Sequence, residues 1–410
     1  MVKKKKLTRR KTLLLGLGTL AGSIAVFIVG KLRSKYSRVS EKGEERDEFD
    51  KNLALTPLKD RAAAKGLIYG AFVQGSYQTF SKDRQFQSNF LQECELLVAS
   101  FYWNWGGVRP NESTYDFTAT DYFAKFATEN SMLLRGHPLI WYRTTPNWLL
   151  DKFNAPNTTS QEIEKILIDH ITTVVGRYAG KIHSWDVVNE AINVKDGRVD
   201  GFRDTKISGD NDQKFPSWLD FLGRDYIDLA FRVASKADPQ AMLTYNEYGI
   251  DYDIPEQEAK RTAVLKLLES LKAKGTPIQA LGIQAHLNAS MNQRFNSVKF
   301  RQFLSDVASF GLKIMITEMD VADKWLPSTM DMKTRDRAVA QAYQDYLAVA
   351  LDEPAVVAVA TWGLSDRYTW LKNKPHQDGT LQRPLPLDAQ LNRKLAWQAI
   401  ANAFDNAPRR

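Results

Sequence analysis

The chain has 410 residues, of which 43% are hydrophobic, 11% aromatic and 25% charged; this excludes disorder throughout and allows one large core. Its net charge of +8 is concentrated at one end: residues 1–40 hold eleven basic residues and no acidic one, which leaves −3 for residues 41–410. The body therefore has no charge-based claim on nucleic acid or any other polyanion, and a single cysteine, Cys94, excludes an intrachain disulfide framework and a multi-cysteine metal site.

Residues 13–29 (LLLGLGTLAGSIAVFIV) form an uncharged run of seventeen, preceded by seven positive charges. Such a run just suffices to cross a bilayer, and the basic flank would keep its start in the cytoplasm. Thr8-Arg9-Arg10-Lys11-Thr12-Leu13-Leu14 resembles a twin-arginine export signal, although a chance Arg pair in a basic leader would read the same. No A-x-A site follows; Lys31-Leu32-Arg33 follows instead, which favours an uncleaved anchor over a cleaved signal. Residues 1–33 are thus expected to be an export signal or membrane anchor, placing the body outside the cytoplasm, in the periplasm or beyond. Residues 34–61 read as a charged linker and 62–407 as the folded body.

From residue 62 onward, apolar runs of strand character recur at 66–73, 95–101, 132–141, 182–189, 241–248, 280–287, 313–320 and 355–363. They are nearly continuous in apolar or β-branched residues, as strands covered on both faces should be. Helical spacing lies between them, as in Leu222, Tyr226, Leu229, Val233 and Ala237, and a last helix is expected near 392–404. Eight strand-then-helix units predict a single (β/α)8 barrel. A doubly wound open sheet is the alternative. Against it, no G-x-G-x-x-G turn follows the first run and no G-x-x-x-x-G-K-[ST] occurs.

A barrel places functional residues at the C-terminal ends of several strands. His137 lies late in the third run, Asn189 and Glu190 close the fourth, and Asn246 closes the fifth. Gln284 and His286 close the sixth, Glu318 and Asp320 the seventh, and Trp362 the eighth. A single such residue is ordinarily a cap or a surface charge; six strands doing this at the same end is hard to obtain that way. Glu190 and Glu318 each follow a hydrophobic strand directly. Two part-desolvated carboxyls near one another can divide the work of one acid and one base or nucleophile. Glycoside hydrolysis needs such a division, with flat apolar surfaces under the sugar rings. Trp103, Trp105, Trp141, Trp148, Trp362 and Trp370 are candidates for those surfaces, although some must be core.

The motifs GHPLIWYRTTPNWL, WDVVNEA, GIQAHL, ITEMDV and WGLSDRYTWL, taken in chain order, resemble the strand-end motifs of the family 10 glycoside hydrolases, mostly endo-1,4-β-xylanases. The resemblance runs from about Gly70 to the last helix. It implies that Glu190 is the acid/base and Glu318 the nucleophile of a retaining mechanism, with Asn189 on the sugar 2-hydroxyl. It further implies that His286 bonds Glu318 and is oriented by Asp320, that Gln284 lies close to the acid/base, and that His137 and Trp362 line the subsite before the cut, with Trp370 over the sugar plane. Trp141 and Asn246 are also expected to bind substrate. The partner is then a polysaccharide. No cofactor or metal is expected, the five histidines lacking H-E-x-x-H spacing; no nucleic acid is expected, membrane contact is expected only through the leader, and a monomer is expected.

Two departures bear on specificity. Where the family commonly reads E-N-x-M-K-W, this chain reads Ser100-Phe101-Tyr102-Trp103-Asn104-Trp105; where it reads W-H-x-Q, this chain reads Trp141-Tyr142-Arg143-Thr144. Polar sugar contacts are lost, and aromatic surface is expected in their place. A preference for a less polar or differently decorated glycan follows. The other readings are a hydrolase of the same chemistry on another extracellular glycan, a non-catalytic glycan-binding relative, and a membrane structural protein. Retention of Glu190, Glu318, Asn189 and His286 argues against the second, and the eight barrel units against the third.

Overall fold

The computed structural model describes residues 56–99, 102–204, 216–327 and 329–410. The leader and most of the linker lie outside these residues. Eight strands, β1 (Ile68–Phe72), β2 (Leu96–Val98), β3 (Leu133–Gly136), β4 (Ser184–Asn189), β5 (Met242–Glu247), β6 (Ala280–Ile283), β7 (Lys313–Ala322) and β8 (Val356–Thr361), pair in parallel in chain order. β8 pairs with β1 through Ile68↔Ala358 and Ala71↔Thr361, which closes the ring. This is the expected (β/α)8 barrel. Each strand is followed by at least one helix that covers its outer face, so the strands are apolar on both sides, as their sequences require.

The interior is filled from both ends. A lower layer packs Leu96, Met315 and Ala358 with Ile68, Leu133 and Met242. An upper layer packs Phe72, Val98, Ala360 and Trp362, with Trp370 against it. Between them an ion chain runs through the buried interior. Arg135 on β3 donates to Ser184 Oγ (2.9 Å) and to Asp186 on β4, and Asp186 Oδ2 holds His137 Nδ1 at 2.6 Å. Arg135 is 1% exposed and Asp186 fully buried. Gly136 separates Arg135 from His137 because a Cβ there would sit 2.1 Å from the Trp185 ring, a gap no side chain can share.

The barrel's ends are stapled at Glu93. Its buried carboxylate accepts from Leu58 N (2.9 Å), Trp397 Nε1 (3.0 Å) and Arg393 (2.6 Å). It thus joins the helix Leu58–Ala63 to the last helix, Leu395–Asn406. Leu58 and Ala62 are fully buried. The folded unit therefore reaches back into residues that their charge pattern assigns to the linker, because the polar residues there (Lys59, Asp60, Arg61) mask one apolar face. Deleting residues 1–55 should leave the melting midpoint within about 2 °C of the full chain, a change under roughly 1 kcal/mol for a domain of this size. Deleting residues 1–64 should lower it far more, since Glu93 then loses a buried partner. Unfolding of the shorter deletion would show that the leader takes part in the fold.

Candidate active site

The strand ends bring Asn189, Glu190, Asn246, Gln284, His286, Glu318 and Asp320 into one hydrogen-bonded mesh at the barrel mouth. Glu190 follows β4 with φ +60°, a left-handed conformation rare for a glutamate and costing about 1–3 kcal/mol. Its peptide is held at both ends: its N–H donates to Asn246 O (2.9 Å), and Arg203 Nε donates to its carbonyl (2.9 Å). The chain thereby turns the carboxyl inward instead of continuing the strand. Glu190 Oε1 accepts from Gln284 Nε2 at 3.1 Å and from Asn189 Nδ2 at 3.3 Å. Arg203 lies 3.9 Å from Oε2.

Glu318, near the middle of β7, has different neighbours. Its Oε1 accepts from Asn246 Nδ2 at 2.7 Å, with His137 Nδ1 at 3.8 Å, and its Oε2 faces His286 Nε2 at 3.3 Å. His286 Nδ1 in turn meets Asp320 Oδ1 at 2.9 Å. Burial works to discharge the His286 imidazole, but the Asp320 and Glu318 carboxylates outweigh it and hold its pKa well above the usual histidine value. For His137, burial is likewise outweighed, by Glu318 and Asp186, and its pKa is raised. Two imidazoles biased toward the cation thus face Glu318, whereas Glu190 accepts from two neutral amides and has the Arg203 guanidinium 3.9 Å from its other oxygen. The two carboxyls thus have different sets of partners within one mesh.

A histidine whose pKa is raised on folding stabilises the fold fully below its unfolded pKa of about 6.5, and this contribution is lost as pH rises through the folded value. Thermal stability should therefore fall from neutral into alkaline pH, and His286→Gln should flatten that decline. A pH–stability curve unchanged by the substitution would contradict the arrangement.

The tryptophans divide. Trp362 stacks on Phe72 (4.2 Å, 18°) and meets the His137 and His286 rings in T-shaped contacts at 5.4 and 6.1 Å. Trp370 donates from Nε1 to Asp320 Oδ2 at 2.6 Å and lies 5.5 Å from the His286 ring. Trp141 lines a cavity of about 40 Å³ together with Glu190, Tyr142, Arg203 and Trp218. Trp103 and Trp105 do not face the cleft. Trp103 is fully buried against Tyr178 and Trp185. Trp105 stacks on His170 at 3.5 Å and donates to Leu139 O. The aromatic surface expected from these two is core. Asn104 does not replace a lysine either, because its carboxamide oxygen accepts from Gly107 N at 2.8 Å.

Asn246 also differs from its expected part in binding substrate. It is fully buried, its amide nitrogen is shared between Asn189 Oδ1 and Glu318 Oε1, and its oxygen accepts from Thr317 Oγ1. Both of its N–H donors are thus taken by Asn189 and Glu318. Sequence reasoning misses Arg135, Asp186 and Arg203. The signal for the first two is present: a charge within an apolar strand run is costly unless paired. Among the described residues no group of three His, Cys, Asp or Glu is placed to hold a metal ion.

A closed parallel barrel with two carboxyls on different strand ends, in one polar mesh edged by tryptophan, defines a glycoside hydrolase of the (β/α)8 type. The chain belongs to glycosyl hydrolase family 10, whose model matches residues 57–403. It is 29% identical over 315 residues to endo-1,4-beta-xylanase B of Thermotoga neapolitana, covering 77% of this chain and 83% of that one. With endo-1,4-beta-xylanase B of Paenibacillus barcinonensis the identity is 32%, over 72% of this chain and 84% of the other. It is also 32% identical to endo-1,4-beta-xylanase C of that organism, over 75% of this chain but only 28% of that longer protein. Among solved structures, native xylanase 10B of Thermotoga maritima matches with TM-score 0.73 and 29% identity, over 85% of this chain and 98% of the other.

Proposed function

We propose that this protein hydrolyses β-1,4-glycosidic bonds of xylan or a related polysaccharide with retention of configuration. The observation that carries this is the pairing of two carboxyls in different settings, with Glu318 between two imidazoles and Asn246, and Glu190 under the amides of Gln284 and Asn189 with Arg203 3.9 Å from its Oε2. In the first step Glu318 attacks C1 while Glu190 gives its proton to the departing oxygen. In the second, Glu190 takes a proton from water, which displaces Glu318. Asn189 Oδ1 accepts from both Asn246 and Gln284, which fixes the amide plane. Its Nδ2 makes only a 3.3 Å bond and is the donor able to meet a sugar 2-hydroxyl. His137, Trp362 and Trp370 form the wall for the sugar before the cut. The basic, apolar leader supports action outside the cytoplasm, on an exported or tethered chain.

Incubation with a panel of β-1,4-linked glycans and analysis of the products tests this reading. Short xylo-oligosaccharides are expected from xylan, and no product from any β-1,4-glycan would overturn it. Turnover of plain xylan should be modest, with kcat/KM below about 10⁴ M⁻¹s⁻¹. Asn104 accepts at a helix cap and Trp103 and Trp105 are buried, so these three side chains do not supply the lost sugar contacts. This favours a decorated substrate over the plain polymer.

A further inference from the structure

The loop that leaves Glu190 comes straight back to it. Asn193 N–H donates to Gly201 O (2.9 Å) and Arg203 N–H to Ala191 O (2.8 Å), with Ile192 and Phe202 bridged antiparallel between them. Gly201 permits this return: its φ is +74°, and a Cβ there would stand 2.8 Å from the side chain of Ala263 on the helix Pro255–Ala273. Arg203 is thereby delivered opposite Ala191, the residue after the acid/base. Its side chain is 10% exposed and engaged on three sides. Nε donates to Glu190 O at 2.9 Å, a terminal nitrogen donates to Tyr248 Oη at 3.3 Å, and the guanidinium carbon lies 3.9 Å from the Tyr142 ring centre. The same terminal nitrogen stands 3.9 Å from Glu190 Oε2.

The two oxygens of Glu190 are not equivalent. Oε1 accepts from Gln284 Nε2 at 3.1 Å and from Asn189 Nδ2 at 3.3 Å. Among the described residues no donor lies within hydrogen-bond distance of Oε2. Where that oxygen points depends on the backbone at residue 190, whose φ of +60° a glutamate does not hold unaided. The side chain that pins the Glu190 carbonyl is also the one that faces Oε2. We infer that Oε2 carries the transferred proton and that Arg203 is the positioning residue that aims it. Arg203 fixes the turn through the carbonyl and steadies Oε2 by charge, from too far away to occupy the oxygen by a hydrogen bond. In the first step the Oε2 proton passes to the glycosidic oxygen as Glu318 attacks C1 and the bond from C1 to that oxygen breaks, leaving Glu190 a carboxylate. This rests on the hydrolase reading and extends its machinery to the loop after Glu190.

The test uses the full chain and two substrates, a xylo-oligosaccharide, whose leaving sugar needs a proton, and an aryl xylobioside, whose acidic phenol does not. Arg203→Met should lower kcat/KM on the oligosaccharide by about 10- to 100-fold, the scale of a hydrogen bond from a charged group. The loss should fall on kcat, with KM little changed. On the aryl substrate kcat/KM reports a first step that needs no acid, so it should fall by no more than about threefold. Arg203→Lys keeps the charge and a donor and should recover part of the loss. Equal losses on the two substrates, no loss on either, or a lysine variant no better than the methionine one overturns the proposal. If Arg203→Met does not fold, Tyr248→Phe, which removes the acceptor at 3.3 Å, should show the same selective loss on a smaller scale; a loss shared equally by the two substrates, or none, then overturns it. Failure of the unaltered protein to cleave either substrate contradicts the hydrolase reading and the part of Arg203 with it, whereas the variant results bear on Arg203 alone.

Discussion

Glu318→Ala should lower turnover of every substrate by roughly 10⁴-fold or more, the scale of loss when a covalent nucleophile is removed. The reason lies in the concentration of surrounding groups on this one side chain. Asn246 Nδ2 at 2.7 Å and His286 Nε2 at 3.3 Å address its two oxygens separately, and His137 stands 3.8 Å from the first. Water cannot take the place of the lost carboxylate without a general base correctly aimed beneath C1. Binding should survive, because the tryptophan walls do not depend on Glu318, so Kd for oligosaccharides is expected to change little. Steady-state rates with calorimetry on the same variant check both parts. A variant retaining more than about a hundredth of the activity would show that another residue attacks.

Glu190→Ala should give a loss that depends on the leaving group. On a polysaccharide the departing sugar alkoxide needs a proton, and removing the general acid should cost about 10²–10⁴-fold. An aryl glycoside with an acidic phenol leaves unaided, so its first step should be much less affected, while its second step slows for want of a base. Added azide, which attacks C1 and displaces Glu318 without base help, should restore turnover of the aryl substrate and yield a glycosyl azide. Equal losses on both substrates, with no azide rescue, would remove Glu190 from the acid/base role.

The barrel is legible in the sequence because its strands are apolar on both faces and their polar residues gather at one end, which few other folds demand. The positions of Glu190, Gln284, His286 and Glu318 can be read for the same reason. What cannot be read is which way a side chain turns once the backbone leaves the strand. Trp103 and Trp105 sit in a run with no periodicity, and both rings turn inward onto partners distant in sequence, Tyr178 and Trp185 for the first and His170 for the second. Asn246 closes its strand as Asn189 does, yet Thr317 and Glu318 on the neighbouring strand consume its amide. Arg203 comes thirteen positions after Glu190, and its hold on the Glu190 carbonyl depends on a loop return that spacing does not encode.

The assignment of a nucleophile and an acid/base, rather than two groups flanking an attacking water, can be tested on the first-formed product. Retaining carboxyls stand about 5–5.5 Å apart and invert C1 twice, whereas inverting pairs stand about 6.5–9.5 Å apart and invert it once. Proton NMR of a xylo-oligosaccharide digest, recorded before mutarotation, measures which anomer appears first. The β-anomer is expected to lead and then decay toward equilibrium; early appearance of the α-anomer would contradict Glu190 as acid/base and Glu318 as nucleophile.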